Sequence, residues 1–158
     1  MVSSYGTGSR RVSRRVLRGF DPERFKELRK GGRVMGELAR LSGVTTTTIY
    51  AWENGTYTPQ VDKLAAVMEV LGAPIEEVVR VPVNERYPGD WRVLLGVTQP
   101  KLAAMAGIAT SILKKIERGE VTLSKEKAAV LSRLVNASTE EYVAAWERAR
   151  TRPAGAPV

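Results

Sequence analysis

Slid against itself by 64 residues, the chain repeats, and no other feature of the sequence restricts the fold as much. GVTTTTIYAWENG (43–55) falls on GIATSILKKIERG (107–119). The register continues without a gap on both sides. Leu38-Ala39 meets Leu102-Ala103, Gly43 meets Gly107, Val44 meets Ile108, Ile49 meets Leu113 and Trp52 meets Ile116. Glu53 meets Glu117, Gly55 meets Gly119, Val67 meets Leu131 and Glu76-Glu77 meets Glu140-Glu141. Few of the pairs are identical. What the copies share is apolar character and punctuation, and two copies of a unit of roughly 60 residues describe the chain better than one irregular domain.

Each copy reads as about five short helices, so the fold class is all-α. In the first, Asp21 caps a helix that has Pro22 in its first turn, Phe25 and Leu28 on its apolar side, and Gly31-Gly32 at its end. A short helix carrying Leu38, Ala39 and Leu41 breaks at Ser42-Gly43. Thr58-Pro59 is expected to cap the next helix, where Leu64, Val67, Met68 and Leu71 recur at helical spacing. Gly72 ends it, and Ile75 to Val79 is expected to form a last short helix. In the second copy Thr98 caps a helix with Pro100 in its first turn, and Ser138-Thr139 opens a longer final helix through Tyr142, Val143 and Trp146. The divisions are a basic arm (1–20), a first unit (21–80), a linker (81–89), a second unit (90–152) and a tail expected to be disordered (153–158).

The four threonines at 45–48, followed by Ile-Tyr-Ala-Trp, resemble an edge strand in composition. Periodicity decides otherwise. At 100° per residue, Ile49 and Trp52 share one face with Thr45 at its edge as an N-cap, while Thr47, Tyr50, Ala51 and Asn54 lie opposite with Thr46 at the margin. Leu113 and Ile116 take the buried face in the second copy. Ser111, Lys114, Lys115 and Arg118 take the exposed one, with Thr110 at its margin. A strand would put Lys115 on the same face as Leu113. Short hydroxyl side chains there have two readings: they cap and start a helix, or they let a helix backbone approach base edges and offer a methyl to thymine.

With no cysteine and no histidine, disulfides, thiolate chemistry and Ser-His or Cys-His catalysis are excluded, as are the usual zinc and haem sites. Acidic residues are scattered and there is no phosphate-cradling glycine loop, so no enzyme, metal or cofactor is expected. No apolar run approaches the roughly 20 residues that span a bilayer, and no signal peptide is read at the N-terminus. The net charge of +8 is unevenly distributed. Residues 1–20 hold five arginines and no acid, 21–80 hold 8 basic and 9 acidic residues, and 81–158 hold 12 basic and 8 acidic. A basic arm and a basic second half suggest a polyanionic partner, against the plainer reading of solvated surface charge.

The order helix, Leu-Ala, Gly-apolar turn, Thr-rich helix and Glu-x-Gly resembles the lambda-repressor-like (Xre-type) helix-turn-helix family. TQPKLAAMAGIATSILKKIERG (98–119) carries the resemblance, as does VMGELARLSGVTTTTIYAWENG (34–55) more loosely. It covers about 21–80 and 90–146. In that family the third helix reads DNA through its N-terminal and outward residues. The resemblance implies that Thr46, Thr47 and Tyr50 meet bases or sugar-phosphate and that Asn54 meets a phosphate. In the second copy it implies Thr110, Ser111 and Lys114 on bases, with Lys115 and Arg118 on phosphates or guanine. Gln99 matches a glutamine that braces a phosphate and a recognition side chain. The first copy has Val34-Met35 where the second has Thr98-Gln99, and its recognition helix has no basic residue. Either the arm (Arg10, Arg11, Arg14, Arg15) supplies the missing anchorage, or the first copy has become a packing module. Glu53 and Glu117 read as structural, paired with a backbone or basic group. Trp52, Trp91 and Trp146 read as core, although Trp146 with Tyr142 and Val143 also fits a stripe that docks the copies or a second chain.

The resemblance implies a sequence-specific regulator of transcription that binds double-stranded DNA in the cytoplasm, in the nucleoid. A phage- or mobile-element-type repressor with an asymmetric or bipartite site is the expectation, with RNA polymerase or a second copy of the chain as further partners. The alternative is a protein-interaction or antitoxin-like module in which one unit docks protein. The linker segment VRVPVNERYPGD (79–90) stretches to roughly 40 Å at most, about one turn of DNA. That length permits direct and inverted arrangements alike.

Overall fold

A computed structural model of the chain describes residues 16–158. Among the described residues it is all-helical, with nine α-helices, two 3-10 turns and no strand beyond an isolated Phe20–Val79 bridge. In the first unit α1 is Pro22–Gly31, α2 Met35–Ser42, α3 Thr46–Glu53 and α4 Val61–Leu71, followed by a 3-10 turn at Ile75–Glu77. A second 3-10 turn at Val83–Glu85 leads into α5 (Pro88–Leu94), α6 (Gln99–Ala106), α7 (Thr110–Glu117), α8 (Lys125–Leu134) and α9 (Thr139–Thr151).

Local chemistry sets most boundaries. The Asp21 carboxylate accepts the Arg24 N–H at 3.0 Å and Thr98 Oγ1 accepts the Lys101 N–H at 3.4 Å. Ser138 and Glu141 form a reciprocal capping box, at 3.0 and 2.9 Å. Gly43 and Gly107, at φ +75° and +70°, end α2 and α6 in the left-handed conformation that a side chain disfavours. This is the turn that swings the following helix across.

Two expected elements differ. Helix α4 starts at Val61 with Gln60 at its N-cap position, and Thr58 Oγ1 instead accepts the Leu17 N–H at 2.9 Å. The last helix of the first unit, expected over Ile75 to Val79, is a single 3-10 turn. Val79 is taken up in the bridge to Phe20, flanked by Asp21 N–H to Val78 O at 2.8 Å and Arg80 N–H to Gly19 O at 2.9 Å. A turn at Val78 followed by the bridge at Val79 satisfies those groups as well as another helical turn would, and it buries both valines.

Each unit has its own core. Phe25, Leu38, Ile49, Trp52, Leu64 and Val67 lead the first, and Phe25 meets Trp52 edge-on at 5.6 Å. Leu102, Leu113, Ile116, Leu131, Tyr142 and Trp146 lead the second. Each such side chain contributes about 1.5–3 kcal/mol on burial. Trp52, Trp91 and Trp146 are all buried, and the Trp146 indole donates to Val121 O at 3.1 Å. Trp146 is therefore core.

The units also touch. Val93 and Leu94 of α5 pack into the first core. Arg18 pairs with Asp90 and lies over the Tyr87 ring at 4.4 Å. Burial pushes the Asp90 carboxyl above its ordinary value, although the Tyr87 N–H and Arg18 pull it down. From α9, Arg148 donates to Arg86 O at 2.8 Å and Val83 O at 3.0 Å. In the tail, Ala156 N–H closes a turn on Pro153 O at 3.0 Å, and Arg152 Nε donates to Ala156 O at 3.0 Å.

Candidate nucleic-acid interface

Helices α3 and α7 follow equivalent glycine turns, and each divides into an inward seam and an outward face. Ile49 and Trp52 are buried in α3, as are Leu113 and Ile116 in α7. Thr47, Tyr50 and Asn54 are exposed at or just past α3, with Thr46 half-buried. Ser111 and Lys115 are exposed on α7, with Thr110, Lys114 and Arg118 half-buried. The structure thus gathers the expected residues of each copy on one helix face.

Their surroundings differ. In α3, Thr45 Oγ1 accepts the Thr48 N–H at 3.2 Å and also bonds the Thr48 hydroxyl at 2.9 Å. In α7 the equivalent N-cap is Ala109, which has no side-chain bond to give. Asn54 Oδ1 accepts the Thr56 N–H at 3.1 Å and its hydroxyl at 2.5 Å. This fixes the loop and leaves the Asn54 amide donors for another acceptor. Lys114 and Lys115 lie in the last turn of α7, where a cation suits the helix dipole. Arg118, the C-cap residue, is 4.0 Å from Glu120, too distant and exposed a pair to hold it firmly.

Both recognition helices end on a buried glutamate that is ion-paired, with a half-buried arginine in the first unit and a buried one in the second. Glu53 accepts from Arg29 at 2.6 and 2.7 Å, and Glu117 accepts from Arg92 at 2.8 and 3.1 Å. Each is a bidentate clamp tying the end of the recognition helix to the first helix of its unit. The hydrogen bond to Glu53 raises the Arg29 pKa above its ordinary value. The Gln99 amide also donates to Glu117 Oε1 at 2.8 Å. Gln99 therefore braces the recognition helix through a buried carboxylate, whereas Met35, its counterpart, is simply buried.

Arg29, paired with Glu53, also lies 5.8 Å from the centroid of the exposed Tyr50 ring of α3. The sequence reading missed that residue, along with Arg33, which is exposed beside the start of α2, and Lys101, exposed in the first turn of α6. The signal was present in Arg33, a basic residue immediately ahead of the helix pair. Arg10, Arg11, Arg14 and Arg15 lie outside the described residues. No helix among the described residues is long and apolar enough to cross a membrane.

A family described as helix-turn-helix matches the chain twice, at residues 25–78 and 90–142, together well over half its length. No curated protein and no solved structure matches significantly. With two glycine-turned helix pairs, each presenting a polar face, and a family match over each, the chain belongs to the lambda-repressor-like, Xre-type helix-turn-helix family of DNA-binding regulators, with two domains in tandem.

Proposed function

We propose that the chain regulates transcription by binding an asymmetric, bipartite duplex site, each half read by one recognition helix, as a repressor of the phage or mobile-element type. The observation that carries this reading is the contrast between two equivalent exposed faces. One offers Thr46, Thr47 and Tyr50, the other Thr110, Ser111, Lys114 and Lys115. Threonine methyls and the Tyr50 ring suit thymine methyl groups, whereas Lys114 suits guanine acceptors. Lys115, Arg118 and the Asn54 amide fall to phosphates, which set register without reading sequence. The arginine arm and Arg33 supply the charge that α3 lacks. Occupancy then blocks RNA polymerase or contacts it, inside the cytoplasm.

One observation favours a second reading, in which the first unit docks a protein. No residue of α3 is basic, and Tyr50 is 50 % and Val34 76 % exposed. Trp146, being core, lends that reading no support.

Three substitutions separate the readings in a duplex-binding titration over salt. Lys115→Ala should weaken every duplex alike and lower the salt slope by about one. Lys114→Ala and Thr47→Ala should each cost about 1–3 kcal/mol of discrimination at one base pair, in different halves of the site. If Thr47→Ala leaves binding and base preference untouched while Lys114→Ala does not, the first unit is a docking module. If none of the three changes binding, the DNA reading fails.

A further inference from the structure

We infer that the contact between the two units, centred on Gly96 and Ala65, determines specificity by fixing the spacing of the two half-sites. The inference rests on the bipartite reading above.

Gly96 has φ +73°, and a Cβ on it would lie 2.6 Å from Ala65 Cβ and 3.1 Å from Ile75 Cδ1. The turn after α5 is therefore seated against α4 of the first unit at a distance that leaves no room for a side chain. Val93 and Leu94, one turn earlier, are packed against the first core. Independent modules on a slack tether would not bury residues of one in the core of the other.

Polar ties close both sides of that contact. Arg18, at the entry to the first unit, pairs with Asp90 in the first turn of α5. Arg148, in the last helix of the second unit, takes the carbonyls of Val83 and Arg86. Arg86 in turn donates to Val81 O at 2.9 Å and lies over the Trp91 ring at 4.4 Å. The connection is thus held by side chains from both units as well as by its own turn.

This alters what the chain selects. Each base pair added between half-sites moves one of them about 3.4 Å along the axis and about 35° around it. Two helices on a slack tether tolerate such shifts. Two helices on a fixed frame do not, and the frame does in one chain what a dimer interface does in two.

The chain has no cysteine, so Lys30→Cys and Lys125→Cys, both at exposed positions, take spin labels one per unit. The free protein should give one narrow distance distribution. On duplexes carrying both half-motifs with the spacer changed by one to five base pairs, affinity should peak at one length and fall at least tenfold two base pairs away. Ala65→Phe, a wedge at the contact, should broaden or shift the distance and flatten or move the peak. If that variant fails to fold, Arg18→Ala with Arg148→Ala adds no bulk and tests the same contact. A broad distribution in the unmodified frame, or selected half-motifs bound equally at all spacings, overturns the inference and leaves sequence reading intact. No half-motif at all removes the DNA reading and the spacing claim together.

Discussion

At the scale of the residue, the second unit holds a buried polar group that its core does not satisfy. The Tyr142 hydroxyl is fully buried with no hydrogen-bond partner among the described residues, and burial, with Glu117 nearby, drives its pKa far up. A hydroxyl in that position costs about 1–3 kcal/mol in lost hydration. Tyr142→Phe should therefore raise stability by about 1 kcal/mol, read as a higher urea midpoint with an unchanged slope. Glu117 should behave in the opposite way. Arg92 is buried against it and Gln99 donates to it, so Glu117→Ala leaves a guanidinium without its counter-charge. A loss of about 3–5 kcal/mol is expected in the same titration. A loss under 1 kcal/mol would mean that the clamp does not hold α7 in place. The sequence indicated a structural role for both glutamates but not their partners. Arg29 and Arg92 sit 24 and 25 residues before their glutamates, so the repeat register sets neither arginine opposite the other.

At the scale of the element, equivalent positions carry different loads. Gly55 and Gly119 each follow a recognition helix at positive φ, +77° and +71°. At Gly55 a Cβ would meet nothing within 4 Å, whereas at Gly119 it would lie 2.4 Å from the Arg150 nitrogen in α9. Gly55→Ala should cost only the left-handed backbone penalty of about 1–2 kcal/mol. Gly119→Ala should cost clearly more, because backbone cannot give way as a flexible side chain can. Thermal denaturation of the two variants tests the difference, and equal losses would contradict the close packing of α9 on that turn. Helix identity was legible because the 3.6-residue period at Ile49 and Trp52 overrode the strand preference of four threonines. The end of the first unit was not legible. Its Ile75-to-Val79 segment lines up with the start of α9, but Val78 and Val79 found partners in the segment around Phe20 that no local pattern announces. The Thr58 cap failed for a related reason, since its hydroxyl serves Leu17, 41 residues away.

At the scale of the whole molecule, the chain joins two related domains of unlike surface. The second carries cations on its recognition helix and the first does not, while the arginines of the N-terminal segment redress the balance. Both the tandem architecture and the family could be read from the repeat at 64 residues and the glycine turns. The contact between the domains could not, because a linker's composition does not reveal what its neighbours bind. Arg148 gives no sign in the sequence that it caps carbonyls more than 60 residues earlier. The most direct test of a two-headed reader is selection of bound duplexes from a random pool, with the intact chain at near-physiological salt. Two unlike half-motifs at one fixed separation are the expected result, with Thr47→Ala degrading one half and Lys114→Ala the other. A pool that stays random, bound by charge alone and released as salt rises, would contradict it.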